Sequence, residues 1–209
     1  MQNMLPAPSP TNPPTSKAKP PLQREVFKMV IVGRPGTGKS TNIRRLVRAA
    51  LEQKRRVLVV TPHEDEWLEL PLVHPRYPQR IATYRGGRRL VVREREPLAE
   101  VCSLFKHGLL VFDDCRYYID TDSPIPFVRA MLISCRQDER DFIAVGHGFT
   151  DVPPLFFKYA THYMVFATTD NVVKRKNCVA NYAALEQVVG AVNADARTDP
   201  HTFKIIKNE

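Results

Sequence analysis

Short apolar runs alternate with amphipathic stretches along most of the chain. Phe27–Val32 (FKMVIV) is apolar and β-branched and reads as a buried strand. After the segment GRPGTGKS, residues Ile43, Leu46, Val47, Ala50 and Leu51 recur at helical spacing, with Arg44, Arg45 and Arg48 on the opposite side. Arg56–Thr61 (RVLVVT) predicts a second strand, stopped by Pro62. Ile81–Tyr84 and Leu90–Val92 flank Gly86-Gly87 and predict a hairpin. Pro97 predicts a helix start, since proline fits a first turn, and that helix runs to about His107. Further strands are predicted at Gly108–Asp113, Phe142–Gly146 and Tyr163–Ala167, and helices at Pro126–Cys135 and Asn181–Val192. There is no internal repeat. Strands alternating with helices imply an α/β fold: a mostly parallel central sheet with helices on both faces.

Residues 6–21 depart from this pattern. They hold seven prolines and almost nothing to bury, so residues 1–24 are expected to form a flexible, Pro-rich tail and 25–209 one compact domain. The longest apolar runs, such as Val57–Val60 and Leu109–Phe112, are far too short to cross a bilayer, and the N-terminus lacks an apolar signal core. Cys102, Cys115, Cys135 and Cys178 form no CxxC pair and no metal spacing, which fits free thiols in a reducing cytosol. The chain of 209 residues carries a net charge of +9, which suits a polyanionic partner.

The segment Gly33–Ser40 fills GxxxxGK[ST] without a mismatch and sits between the first strand and the amphipathic helix. Its glycines allow backbone N–H groups to curl around phosphate oxygens. The pattern predicts a nucleoside triphosphate, ATP, on Gly33, Arg34, Pro35, Gly36, Thr37, Gly38, Lys39, Ser40 and Thr41. Lys39 is expected at the β- and γ-phosphates, and the Ser40 hydroxyl on Mg²⁺. Leu109–Asp114 (LLVFDD) is an apolar strand ending in two carboxylates. Asp113 is the candidate for Mg²⁺, through water, and Asp114 for polarising the attacking water. Arg136 and Arg140 at the next helix end are candidates for a cation near a γ-phosphate. His147, after the next strand, is placed to sense that phosphate or to orient water.

Three segments together resemble the viral genome-packaging ATPases of the FtsK/HerA superfamily, in the branch of tailless membrane-containing viruses and zonula occludens toxin-like phage proteins. They are GRPGTGKS at 33–40, LLVFDD at 109–114, and Arg136 followed by VGHGFTDVPPLF at 145–156. The family pattern has an arginine at a helix end, a strand ending in Gln, Asn or His, and an Asp-Val/Ile-Pro loop, which Arg136, His147 and Asp151-Val152-Pro153 match. The chain departs from it in having Asp114 where Glu is usual and His147 where an amide is commoner, and it has no transmembrane segment of the filamentous-phage kind. The resemblance covers about residues 26–170. It implies a RecA-like P-loop core, a homo-oligomeric ring, ATP-driven DNA movement into a preformed capsid, a capsid-vertex or virion-membrane partner, and a place in the host cytoplasm or the virion.

Arginine is concentrated between residues 76 and 95, and Arg85, Arg88, Arg89 and Arg93 crowd the Gly86-Gly87 turn. Such a basic hairpin is a candidate for DNA phosphate contacts. Lys174-Arg175-Lys176 is a second basic cluster, and Tyr117 and Tyr118 have the chemistry to stack on bases, although packing in the core is the commoner use of such aromatics. Two other functions stay open at this level. One is a small phosphotransferase using the Arg76–Arg95 segment as a lid, and the other is a nucleotide-regulated DNA-binding or assembly module with little turnover.

Overall fold

The computed structural model describes residues 25–74, 77–92, 96–120 and 125–208. The expected tail, and with it Arg76, Arg93 and Arg95, lies outside the described residues. Seven strands form one sheet: β1 (Lys28–Val32), β2 (Arg56–Thr61), β3 (Gly87–Val91), β4 (Gly108–Phe112), β5 (Arg140–Gly146), β6 (His162–Phe166) and β7 (Phe203–Lys207). Their order across the sheet is β3-β2-β4-β5-β1-β6-β7, and all pair in parallel except β7, which runs antiparallel to β6. This is the α/β architecture that the alternating pattern predicts.

The central strands are buried on both sides, which explains why they read as continuous apolar runs instead of alternating ones. Met29, Ile31, Val57, Val59, Val111 and Ile143 point to the face covered by α1 (Lys39–Glu52), whose Ile43, Val47 and Ala50 pack on them. Val30, Val32, Leu58, Val60, Phe112 and Phe142 point to the other face. There α3 (Glu96–Leu104), α4 (Pro126–Ser134), α5 (Pro154–Tyr159) and α6 (Tyr182–Asp195) contribute Val101, Val128, Phe156 and Leu185, among others.

The hairpin at Gly86-Gly87 is a correction. Residues 80–83 form a single helical turn, α2 (Arg80–Thr83), and Gly86, at φ 73°, leads into β3 alongside β2 in parallel. A three- or four-residue apolar run satisfies a helical turn as well as a strand, so the pattern alone does not choose. Tyr84 fixes the choice by donating its hydroxyl to the Val57 carbonyl at 3.0 Å. Arg88 then lies over the Tyr84 ring and Arg89 donates to the Glu64 carbonyl at 2.9 Å, so both arginines hold the edge strand in place.

The cluster at 174–176 is also reassigned. Arg175 is 7% exposed, and its guanidinium donates to the carbonyls of Phe149, Thr150 and Val152 at 2.7, 3.3 and 3.0 Å. Asp170 holds the same loop by accepting from the Thr150 N–H and hydroxyl at 2.6 and 2.7 Å. Arg175 and Asp170 thus pin the loop that follows β5. Truncating Arg175 to Ala strands three carbonyls and is expected to cost about 2–4 kcal/mol of stability, measured by urea unfolding.

Candidate active site

Two of the sequence-predicted segments end at the carboxyl edge of the sheet. β1 turns through Gly33–Gly38 into α1. Gly36 and Gly38 take φ 79° and 88°, the left-handed region that glycine enters without a Cβ penalty. The Arg34 N–H donates to the Ala167 carbonyl at 2.8 Å, which ties the loop to the end of β6. Gly38 caps α1 without a side chain, so the first-turn N–H groups face outward with the positive end of the helix. Lys39 is buried, and its ammonium donates to the Gly33 carbonyl and, at 3.0 Å, to the Arg34 carbonyl. Burial lowers its pKa, while the charges of Asp114, Asp113 and Asp151 act the other way. A curled loop, outward N–H groups and an ammonium aimed along it fit the triphosphate of ATP, and the exposed Ser40 hydroxyl beside them fits a phosphate-bound Mg²⁺.

Asp113 and Asp114 stand at the end of β4, and β5 separates that strand from β1. His147, just past β5, fills the interval. Its Nδ1 lies 3.4 Å from Lys39 Nζ and its Nε2 lies 3.2 Å from Asp114 Oδ1. His63, just past β2, meets the other oxygen of Asp114 at 3.1 Å. Asp114 itself turns through φ 46°, and this redirects its side chain between the two histidines. Lys39, His147, Asp114 and His63 therefore form one continuous polar row. Beside it lies a crevice of about 480 Å³ lined by Asp114, Arg116, Tyr117, Gly146, His147 and Asp151, with Arg116 donating to Asp151 at 2.7 Å.

Asp113 faces a different environment. It is 7% exposed, and one carboxylate oxygen accepts the indole N–H of Trp67 at 2.7 Å. Burial pushes its pKa up to about 6; the Trp67 bond works against that, and the neighbouring Asp114 charge adds to it. Tyr118 is buried in the core, where its hydroxyl donates to the Val60 and Asp113 carbonyls, so it is no base-stacking platform. Tyr117 is exposed, edge-on to His63.

The two arginine candidates part company. Arg140 is a correction: it is 1% exposed at the start of β5 and donates to the Cys102 carbonyl at 2.9 Å and to Asp138 at 2.8 Å. Its guanidinium is committed to the core. Arg136 is exposed at that same edge. The seven residues of β5 put this edge roughly 20 Å from His147, out of reach of the chain's own phosphate loop. Arg85 is also at the amino edge, and with Arg88 and Arg89 holding β3, none of the three stands over the phosphate loop as a lid.

Sequence reasoning missed His63, Trp67, Arg116 and His201. His201 comes from the loop before β7, within 3.3 Å of where a Cβ on Gly38 would sit. The one available signal was a lone tryptophan in the acidic stretch HEDEWLEL, an apolar ring whose N–H needs an acceptor once buried.

No family model matches the chain, and neither does any curated protein sequence. Solved structures do match. The genome packaging NTPase B204 of Sulfolobus turreted icosahedral virus 2, in complex with AMPPCP, superposes with a TM-score of 0.65 at 15% identity, over 88% of this chain and 93% of that one. The chain shares its fold with that NTPase. B204 of Sulfolobus turreted icosahedral virus, a DNA-packaging ATPase, gives 0.58 at 16% identity over 87% and 92%. VirB4 of Thermoanaerobacter pseudethanolicus gives 0.55 at 12% identity over 91% of both chains. The fold expected from the sequence resemblance is therefore present.

Asp113 also has a consequence for stability. The folded chain holds the Asp113 proton more tightly than the unfolded chain, whose aspartate releases it near pH 4. The charge therefore weakens the fold as pH rises from about 4 to about 6, and the deficit persists at neutral pH. Asp113→Asn, which can still accept the indole N–H, is expected to stabilise the nucleotide-free protein at pH 7 by about 1–3 kcal/mol. Thermal melts of both proteins at pH 7 and pH 4 check this, and the gain is expected to vanish at the lower pH.

Proposed function

We propose that this chain is an ATP-hydrolysing motor that moves DNA into a preformed viral capsid. The observation that carries the reading is the row Lys39–His147–Asp114–His63, with Asp113 alongside, at the carboxyl edge of a sheet shared with viral packaging NTPases. ATP lies with its phosphates on Gly33–Thr41. Lys39 contacts the β- and γ-phosphates. Ser40, and Asp113 through water, hold Mg²⁺, which when bound spreads the negative charge that builds up on the phosphate oxygens.

Asp114 polarises the attacking water. Each of its oxygens takes one histidine and keeps a lone pair, so it still accepts a proton while its orientation stays fixed. His147 touches both Lys39 and Asp114 and is placed to register whether a γ-phosphate is present. In a homo-oligomeric ring, Arg136 serves the site of a neighbouring copy, because it stands at the wrong edge for its own. The capsid-vertex or virion-membrane partner, and the host cytoplasm or virion as location, follow from the same reading.

The DNA contact moves with the corrected fold. Arg85 joins Lys54, Arg55 and Arg56 around a crevice of about 720 Å³ at the amino edge, opposite the phosphate loop. Phosphodiesters bound there would be gripped without sequence readout. The placement also favours hydrolysis over phosphotransfer: the acids and histidines sit at the phosphate loop, and among the described arginines of the expected lid, Arg85, Arg88 and Arg89 do not.

Lys39→Ala is expected to abolish ATP turnover with the far-UV circular dichroism unchanged; turnover near the parent rate would overturn the assignment. Reversing charge at Lys54 and Arg85 together is expected to weaken duplex binding and to lower its log–log salt slope by roughly one for each phosphate no longer neutralised. Fluorescence anisotropy of a labelled duplex across a salt series measures both.

A further inference from the structure

Trp67 is the only tryptophan in the chain, and its placement is costly. Its φ of 56° lies in the left-handed region, which a side-chain-bearing residue occupies at a cost of about 1–2 kcal/mol. The ring is 1% exposed, on the α1 face of the sheet with Ile43, Val47 and Leu70. Two polar contacts accompany that burial. The indole N–H donates to Asp113 Oδ2 at 2.7 Å, and the Arg44 guanidinium lies 4.4 Å from the ring centroid. Arg44 belongs to α1, four residues after Ser40 and so one turn further along the same face, and it is ion-paired with Glu69. A single side chain therefore spans from the acid at the end of β4 to the helix that carries the phosphate-loop hydroxyl.

The geometry points to Trp67 as a positioning residue for Mg²⁺–nucleotide: its N–H fixes the Asp113 carboxylate, and Arg44 on its ring locks that orientation to the helix bearing Ser40. This rests on the reading of Asp113 as the acid of the metal's water shell. An indole N–H can only donate, so it holds Oδ2 and leaves Oδ1 for a metal-bound water. A carboxylate without this bond would rotate about its terminal torsion and present either oxygen in several directions. The hydrogen-bonded neighbours of metal-binding groups have measurable weight, since their removal weakens metal affinity by about 10- to 100-fold.

The full-length protein supplies its own probe, because all tryptophan emission comes from this site. Protein saturated with a non-hydrolysable ATP analogue in EDTA is titrated with Mg²⁺. A change in emission intensity or wavelength that saturates with Mg²⁺ is expected; unchanged emission overturns the proposal, and this arm needs no mutant to fold. In parallel, Trp67→Phe keeps an apolar ring and removes the N–H. It is expected to raise the Mg²⁺ concentration for half-maximal binding of a fluorescent nucleotide by about tenfold, with affinity for the metal-free nucleotide within about twofold of the parent.

Asp113→Ala separates Trp67 from the acid it holds. If it raises the Mg²⁺ requirement while Trp67→Phe does not, Trp67 is structural and the proposal fails with the Asp113 reading intact. If neither variant moves the requirement, the Asp113 reading has failed and the proposal with it.

Discussion

The carboxyl edge is governed by one spacing. Adjacent strands lie about 4.8 Å apart, and β5 separates β1 from β4, so the end of β1, which leads into the phosphate loop, and the end of β4, which leads into the two aspartates, are roughly 10 Å apart. That interval leaves room for one imidazole. His147 occupies it and touches both sides. Under the proposed function, His147, in contact with both the lysine and the acid, is where the state of a bound γ-phosphate reaches Asp114. The loop behind His147 is held by Arg175 and Asp170.

The two aspartates at the end of β4 divide their work by environment. Asp114 sits between two histidines beside an open crevice, whereas Asp113 is sealed under Trp67. Burial makes the Asp113 charge costly to hold, which accords with the proposal that its counter-charge arrives with the nucleotide. On the proposed function, the site trades stability for readiness to bind a cation; perturbed ionisable groups cluster at functional sites.

Much of this was legible in the sequence, for a physical reason. The phosphate loop was, because curling a backbone around phosphates demands glycines at fixed offsets, and LLVFDD was, because a doubly buried apolar strand ends where its carboxylates begin. β5 and His147 followed from the same logic. What escaped depends on partners distant in sequence. His63 and Trp67 lie in a loop without periodicity, so nothing local shows that they meet Asp114 and Asp113 some 50 residues later. Arg140 and Arg175 read as surface charges and are core residues, because a buried guanidinium is recognised only by the carbonyls it satisfies. The strand expected at Leu90–Val92 runs as Gly87–Val91 and was given the wrong partner, since its parallel pairing with β2 is a tertiary fact. β7 (FKIIK) was missed because an edge strand with two exposed lysines lacks the apolar run of the central ones.

The central claim is that the row through His147 is the hydrolytic machinery and not merely a satisfied polar cluster. Single-turnover hydrolysis of radiolabelled ATP by His147→Ala, with nucleotide affinity measured on the same preparation, tests it most directly. Phosphate release slowed by about 100-fold or more is expected, with nucleotide affinity little changed. Release at the parent rate would contradict the claim.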